Sequence, residues 1–125
     1  MTIQAAIDRI DEMKPNVFSD QQKVAWLSEV DGYVWREIIK THEGIPAGID
    51  FVGYDLDTEM DTVLMVPEPY HGIYEHYLAA QMADKNRETG EYAKEMAAFN
   101  SAWQTYADYY NRLHAPVALV QQFRF

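Results

Sequence analysis

The stretch from Tyr92 to Leu113 constrains this chain more than any other. Tyr92, Met96, Phe99, Trp103, Tyr106, Tyr110 and Leu113 alternate spacings of four and three, which lays one apolar stripe along a long α-helix. A stripe of that length has to be covered from end to end. A 3.5-residue repeat suits antiparallel neighbours crossing near 20°. The pattern therefore predicts a mainly α protein, a small antiparallel helical bundle.

Three further segments supply the partners, for about four helices in all. Residues 2 to 14 place Ile3, Ala6, Ile7, Ile10 and Met13 on one face, with Thr2 as N-cap and Pro15 as the stop. Ser19 and Gln22 form a capping box, and Val24, Leu27, Val30, Val34 and Ile38 follow it at threes and fours. That predicts a second helix from about residue 20 to about residue 41, with Trp26, Tyr33 and Trp35 widening its buried face. Gly32 lies inside it and predicts a close approach or a bend. The third helix starts at Pro69 and faces inward with Ile73, Tyr74, Tyr77, Leu78 and Met82. The polar cluster Asp84 to Gly90 closes it, and a short turn around Gly90 predicts a hairpin between helices three and four.

Residues 42–69 break the helical period with Gly44, Pro46, Gly48, Gly53, Pro67 and Pro69. The reading is a long ordered loop or a short β-hairpin that pairs residues 49–54 with 62–66. After Pro116 comes an extended tail, residues 115–125, whose Val117 to Phe125 mixes aliphatics with Phe-Arg-Phe. Uncovered, it is an aggregation hazard, so either it docks on its own bundle or it adds to a neighbour. The 125 residues, 48% hydrophobic, are read as a single helical domain, residues 1–125.

Composition narrows the chemistry. The absence of cysteine removes disulfide frameworks, thiolate zinc, iron–sulfur clusters and cysteine nucleophiles. A net charge of −10 repels phosphate backbones, and no basic cluster offsets it. No apolar run exceeds the length of Val63 to Val66, far below the roughly 20 residues a membrane span needs. The opening MTIQAAIDRIDEMK carries acids where a basic leader would sit. The expectation is a soluble, intracellular protein with no membrane contact.

No constellation satisfies a catalytic template. Asp55 to Asp61 alternates oxygen ligands as a calcium loop does, but Met60 replaces the turn glycine and Val66 the bidentate glutamate. A di-iron bundle needs two Glu-x-x-His pairs, and only Glu68-Pro69-Tyr70-His71 matches. His71 and His76 are five apart and share no helical face, while His42 and His114 sit at helix ends, where capping is usual. The serines, at 19, 28 and 101, lie in no nucleophile elbow, and no glycine-rich phosphate cradle occurs. Asp31 falls within the apolar period of helix two, where a hydrogen-bonded structural carboxylate and a buried catalytic acid are both open readings. Tyr70, Tyr74 and Tyr77 form a ladder on helix three that suits either a core or an interface. The chain is thus expected to be no enzyme and to need no cofactor or metal.

Several segments together resemble a known family. Trp26-Leu27-Ser28-Glu29-Val30-Asp31-Gly32, then Asp61-Thr62-Val63-Leu64-Met65-Val66-Pro67-Glu68-Pro69-Tyr70 leading into Ile73-Tyr74-Glu75-His76-Tyr77-Leu78, then Phe99-Asn100 and Tyr109-Tyr110-Asn111-Arg112 are similar to the small phage and prophage head-to-tail connector proteins, also called adaptor or head-completion proteins. The resemblance spans most of the chain but not Gly44 to Gly53. It implies a structural virion subunit, assembled in the bacterial host cytoplasm, that forms a ring of copies of itself in the neck. Its implied partners are the portal protein and the tail-completion or stopper proteins, with DNA only as passing cargo. By that analogy the contact residues are Val66, Pro67 and Tyr70 in the excursion and Leu119, Val120, Phe123, Arg124 and Phe125 in the tail. An acidic lumen would let DNA slide. The alternative is a stand-alone helical protein–protein interaction module of bacterial origin that uses the tyrosine ladder as a groove. A third reading, a metal-dependent hydrolase or di-iron oxidase, would have to use His71.

Overall fold

The first helix, α1, runs Ile3–Met13, and its start and stop are both local chemistry. The Thr2 hydroxyl accepts the Ala5 N–H at 3.0 Å, and Lys14, before Pro15, is already extended. Helix α2, Asp20–Val34, opens on the reciprocal Ser19–Gln22 capping box. It continues as one π-helical turn, Trp35–Ile39, where the Lys40 N–H reaches back five residues to the Trp35 carbonyl at 2.8 Å. Residues 20–39 are thus continuous helix of two kinds, and the wider turn carries both Trp35 and Ile38 to the interior. The computed structural model describes residues 1–42 and 48–114.

Helix α3 is Gly72–Lys85 and α4 is Thr89–Leu113. Their connection is a Schellman turn: the Glu88 N–H donates to the Ala83 carbonyl at 2.8 Å and the Arg87 N–H to Asp84 at 3.1 Å. Arg87 takes the left-handed conformation, φ 59°, that such a turn demands. The hairpin expected at Gly90 therefore turns at Asn86–Glu88, and Gly90 lies in the first turn of α4. The start of α3 also differs from expectation, because Pro67 to His71 form turns before the helix and Pro69 stands outside it.

α3 is the central element, with α4 packed along one side and α1 and α2 on the other. Ile3, Ile10, Leu27, Val30, Ile73 and Leu78 are fully buried between them. Burial of each such side chain contributes roughly 1.5–3 kcal/mol. The stripe of α4 supplies buried Phe99 and Tyr106 with half-buried Met96, Trp103 and Tyr110. Leu113, at its end, stays 60% exposed, so the described residues do not cover the stripe to its last turn.

Residues 48–69 form an irregular loop with no strand of its own and not the hairpin. Val63 makes an isolated antiparallel bridge with Thr2 instead. The Ile3 N–H donates to the Thr62 carbonyl at 3.0 Å and the Leu64 N–H to Met1 at 2.9 Å. The N-terminal residues thus take the pairing partner that residues 49–54 would have needed. The tail, residues 115–125, lies outside the described residues.

Candidate functional site

The loop is pinned to the bundle at a single buried carboxylate. Asp31 lies on the inner face of α2 between Leu27 and Val34 and is completely buried. The Tyr74 hydroxyl of α3 donates to its Oδ1 at 2.6 Å. The Tyr54 hydroxyl donates to Oδ2 at 2.6 Å and the Met65 N–H to the same oxygen at 3.1 Å, both from the loop. Tyr74 Oη accepts in turn from the Val66 N–H at 2.8 Å. One turn earlier on α2, the Ser28 hydroxyl accepts the Tyr54 N–H at 2.9 Å. A charged group stripped of water is tolerated only when donors replace the water, and here three do.

Desolvation nevertheless dominates, so the Asp31 carboxyl sits above its ordinary range, with the bonds from Tyr54, Tyr74 and Met65 opposing the shift. Burial, together with the same carboxylate, pushes both tyrosine hydroxyls far above theirs, so they remain donors. Among the described residues no cation pairs with Asp31. The arrangement is that of a structural carboxylate satisfied by hydrogen bonds, the first of the two readings of Asp31.

The tyrosine ladder resolves differently from a surface groove. Tyr74 and Tyr77 are buried, and the Tyr77 hydroxyl is spent on the Glu29 carboxylate of α2. Tyr70 precedes the helix and lies half-buried against α4, with its ring 4.6 Å from that of Tyr109 and 5.7 Å from that of Tyr106. Of the other excursion residues assigned to a partner, Pro67 is exposed. Val66 is completely buried in the chain's own core, where its apolar side chain packs away from any partner, and its amide is held by Tyr74. Leu119, Val120, Phe123, Arg124 and Phe125 lie outside the described residues.

Several titratable side chains join helices. Lys14 bridges Glu91 at 2.8 Å, and His76 Nδ1 lies 2.9 Å from Glu95 Oε2. Buried Lys23 meets Asp11 at 2.6 Å, and Arg9 pairs with Glu75. His42 donates from Nδ1 to the Ile38 carbonyl, and His114 Nδ1 is 3.2 Å from the Tyr110 carbonyl, so both sit at helix C-termini. His71, the histidine of the lone Glu-x-x-His pair, faces Glu75 at 4.0 Å. Among the described residues no three His, Asp or Glu side chains converge as a metal site requires, and no helix is long and apolar enough to cross a membrane.

Sequence reasoning reached Asp31 from its place in the helical period but missed Tyr54, Tyr74 and Ser28 as its circle. Tyr74 read only as part of an apolar face, and Tyr54 only as the end of a β-capable piece. What this fold and site define is a mainly helical bundle that holds one long loop in a fixed shape. No family model matches the chain, nor does any curated protein or solved structure.

Proposed function

We propose that this chain is a structural protein and no catalyst: a head-to-tail connector subunit of a phage or prophage neck. It forms a ring with copies of itself, binds portal and tail-completion proteins, and meets DNA only as passing cargo. The observation that carries the reading is where the connector-like segments lie. Trp26–Gly32 contributes Ser28 and Asp31, Asp61–Tyr70 contributes Met65 and Val66, and Ile73–Leu78 contributes Tyr74. The first of these segments lies far in sequence from the other two, and all three meet at one buried carboxylate. The resemblance thus falls on the device that fixes the loop, which is what a building block needs to present a constant surface.

That surface carries Pro67 and the half-buried Tyr70, and Leu119, Val120, Phe123, Arg124 and Phe125 are proposed to join them in gripping the portal. The test is electron microscopy of the chain mixed with the portal protein of its own gene neighbourhood. The full chain should add a ring of density beneath the portal. A variant lacking residues 117–125 should keep its helical circular dichroism and add none. Docking that survives this deletion refutes the assignment of the tail.

A further inference from the structure

At the end of the bundle away from the loop, α1, α3 and α4 leave a cleft of about 400 Å³. Its floor is Ala79, Met82 and Ala83 of α3, all buried, and one wall is Met13, the last stripe residue of α1, which stays 51% exposed. The rim is crowded with charge. Lys14 pairs with Glu91 at 2.8 Å and stands 3.8 Å from Glu95. Its bond to Glu91, with the fields of Glu95 and Glu88 behind it, holds the Lys14 ammonium above its ordinary range. One ammonium among three carboxylates leaves negative charge uncompensated at the mouth of the cleft, where Glu88 and Glu91 both line it. The fitting occupant combines aromatic rings, which thioethers contact favourably, with a cation.

The chain carries one segment of that kind. From Tyr109 to Phe125 no aspartate or glutamate occurs, the longest such stretch in a chain of net charge −10, and it contains Phe123-Arg124-Phe125. Reach decides whose cleft it fills. At a rise of about 1.5 Å per residue, Glu91, in the first turn of α4, stands roughly 34 Å along the helix from His114. A fully extended chain carries Phe123 at most about 32 Å beyond His114. That path must also step off α4 and cross to the α1 side, so Phe123 falls short of the cleft of its own chain.

We propose that Phe123-Arg124-Phe125 of one copy seats in the cleft between α1, α3 and α4 of a second copy. The phenyl rings lie against Met13 and the Met82 floor, and the Arg124 guanidinium meets Glu88. Each copy offers one tail and one cleft, so the contact is heterologous and repeats from copy to copy. Residues that the connector reading gives to the portal are thus covered by a second copy while no portal is present. The contact forms without a portal and does not rest on that reading.

The test is sedimentation velocity of the full chain, free of portal, over a wide range of concentration. The weight-average mass should rise with concentration. Arg124→Glu and Glu88→Lys each set like charges against one another and should each weaken association about tenfold. Glu88 is exposed and its side chain caps no helix N–H, so its substitution leaves the bundle folded. When the two variants are mixed, the tail of each suits the cleft of the other, and association should return. A mass that stays that of one chain at every concentration, association that neither variant weakens, or a mixture no heavier than the separate variants would overturn the proposal. Amide resonances of Ala83 and Glu88 that shift with Arg124→Glu equally at every dilution would place the chain's own tail in the cleft and overturn the second copy.

Discussion

Tyr74→Phe removes one oxygen atom and tests the account of how the loop is held. Tyr74 is fully buried and its ring packs in the core, so the substitution keeps the packing and leaves no cavity for a side chain to fill. Two partners lose their bond. Asp31 Oδ1 loses a 2.6 Å donor while remaining buried, and hydrogen bonds to charged groups are worth about 1.5–3 kcal/mol. The Val66 N–H loses its acceptor at a residue with no exposure, a desolvation penalty of about 1–3 kcal/mol. The sum is about 2.5–6 kcal/mol, a large share of the roughly 5–15 kcal/mol that stabilises a domain. Tyr54→Phe, at a half-buried ring, removes one bond to the same carboxylate and should cost less. Urea unfolding followed by circular dichroism measures both. The cost of Tyr74→Phe should also depend on pH in a set direction. Asp31 has its folded value raised, so its contribution is fully present below its ordinary value of 3.8 and is lost as pH rises through the raised one. Losing the Tyr74 donor raises that folded value further, so the variant recovers relative to the parent as pH falls. A Tyr74→Phe cost under about 1 kcal/mol, or one that grows on acidification, would refute the reasoning.

Other perturbations read the remaining joints. Arg87→Gly should stabilise the chain by up to about 1 kcal/mol in thermal unfolding, because φ 59° suits glycine and no other residue as well at the end of α3. Gly53→Ala should destabilise by about 1–2 kcal/mol in the same assay, since it meets both a left-handed backbone and the Ser28 hydroxyl at 3.0 Å. Lys14→Met should flatten the urea midpoint against pH at both ends. Its hydrogen bond to Glu91 raises the Lys14 ammonium, whose contribution is present below 10.5 and lost as pH rises through the raised value. The same bond lowers the Glu91 carboxyl, whose contribution is present above 4.5 and lost as pH falls through the lowered one. A variant whose midpoint keeps both slopes would show that the pair is not coupled to folding.

How far the fold was legible follows from how local each determinant is. The Thr2 and Ser19 caps and the stripes of α1, α3 and α4 are set by residues within a few positions of one another, and they stand where the spacing placed them except at the last stripe residues of α1 and α4, Met13 and Leu113, which stay exposed. The α3–α4 turn was misplaced by a few residues because the sequence offers Gly90 and the chain instead bends an arginine into the left-handed region. The π-helical turn at Trp35 leaves no local mark beyond an apolar run that either kind of helix would satisfy. The loop was the least legible element because its order is nonlocal: Tyr54, Met65 and Tyr74 reach Asp31 across 23, 34 and 43 positions. Periodicity signals that a carboxylate is buried, and only the folded arrangement says which donors make that tolerable. Both carboxylate oxygens of Asp31 accept from the chain's own donors, and those bonds hold the loop in shape. A substitution at Asp31 should therefore loosen the loop at Tyr54 and Met65, the two loop residues that bond to it, before it disturbs the helices.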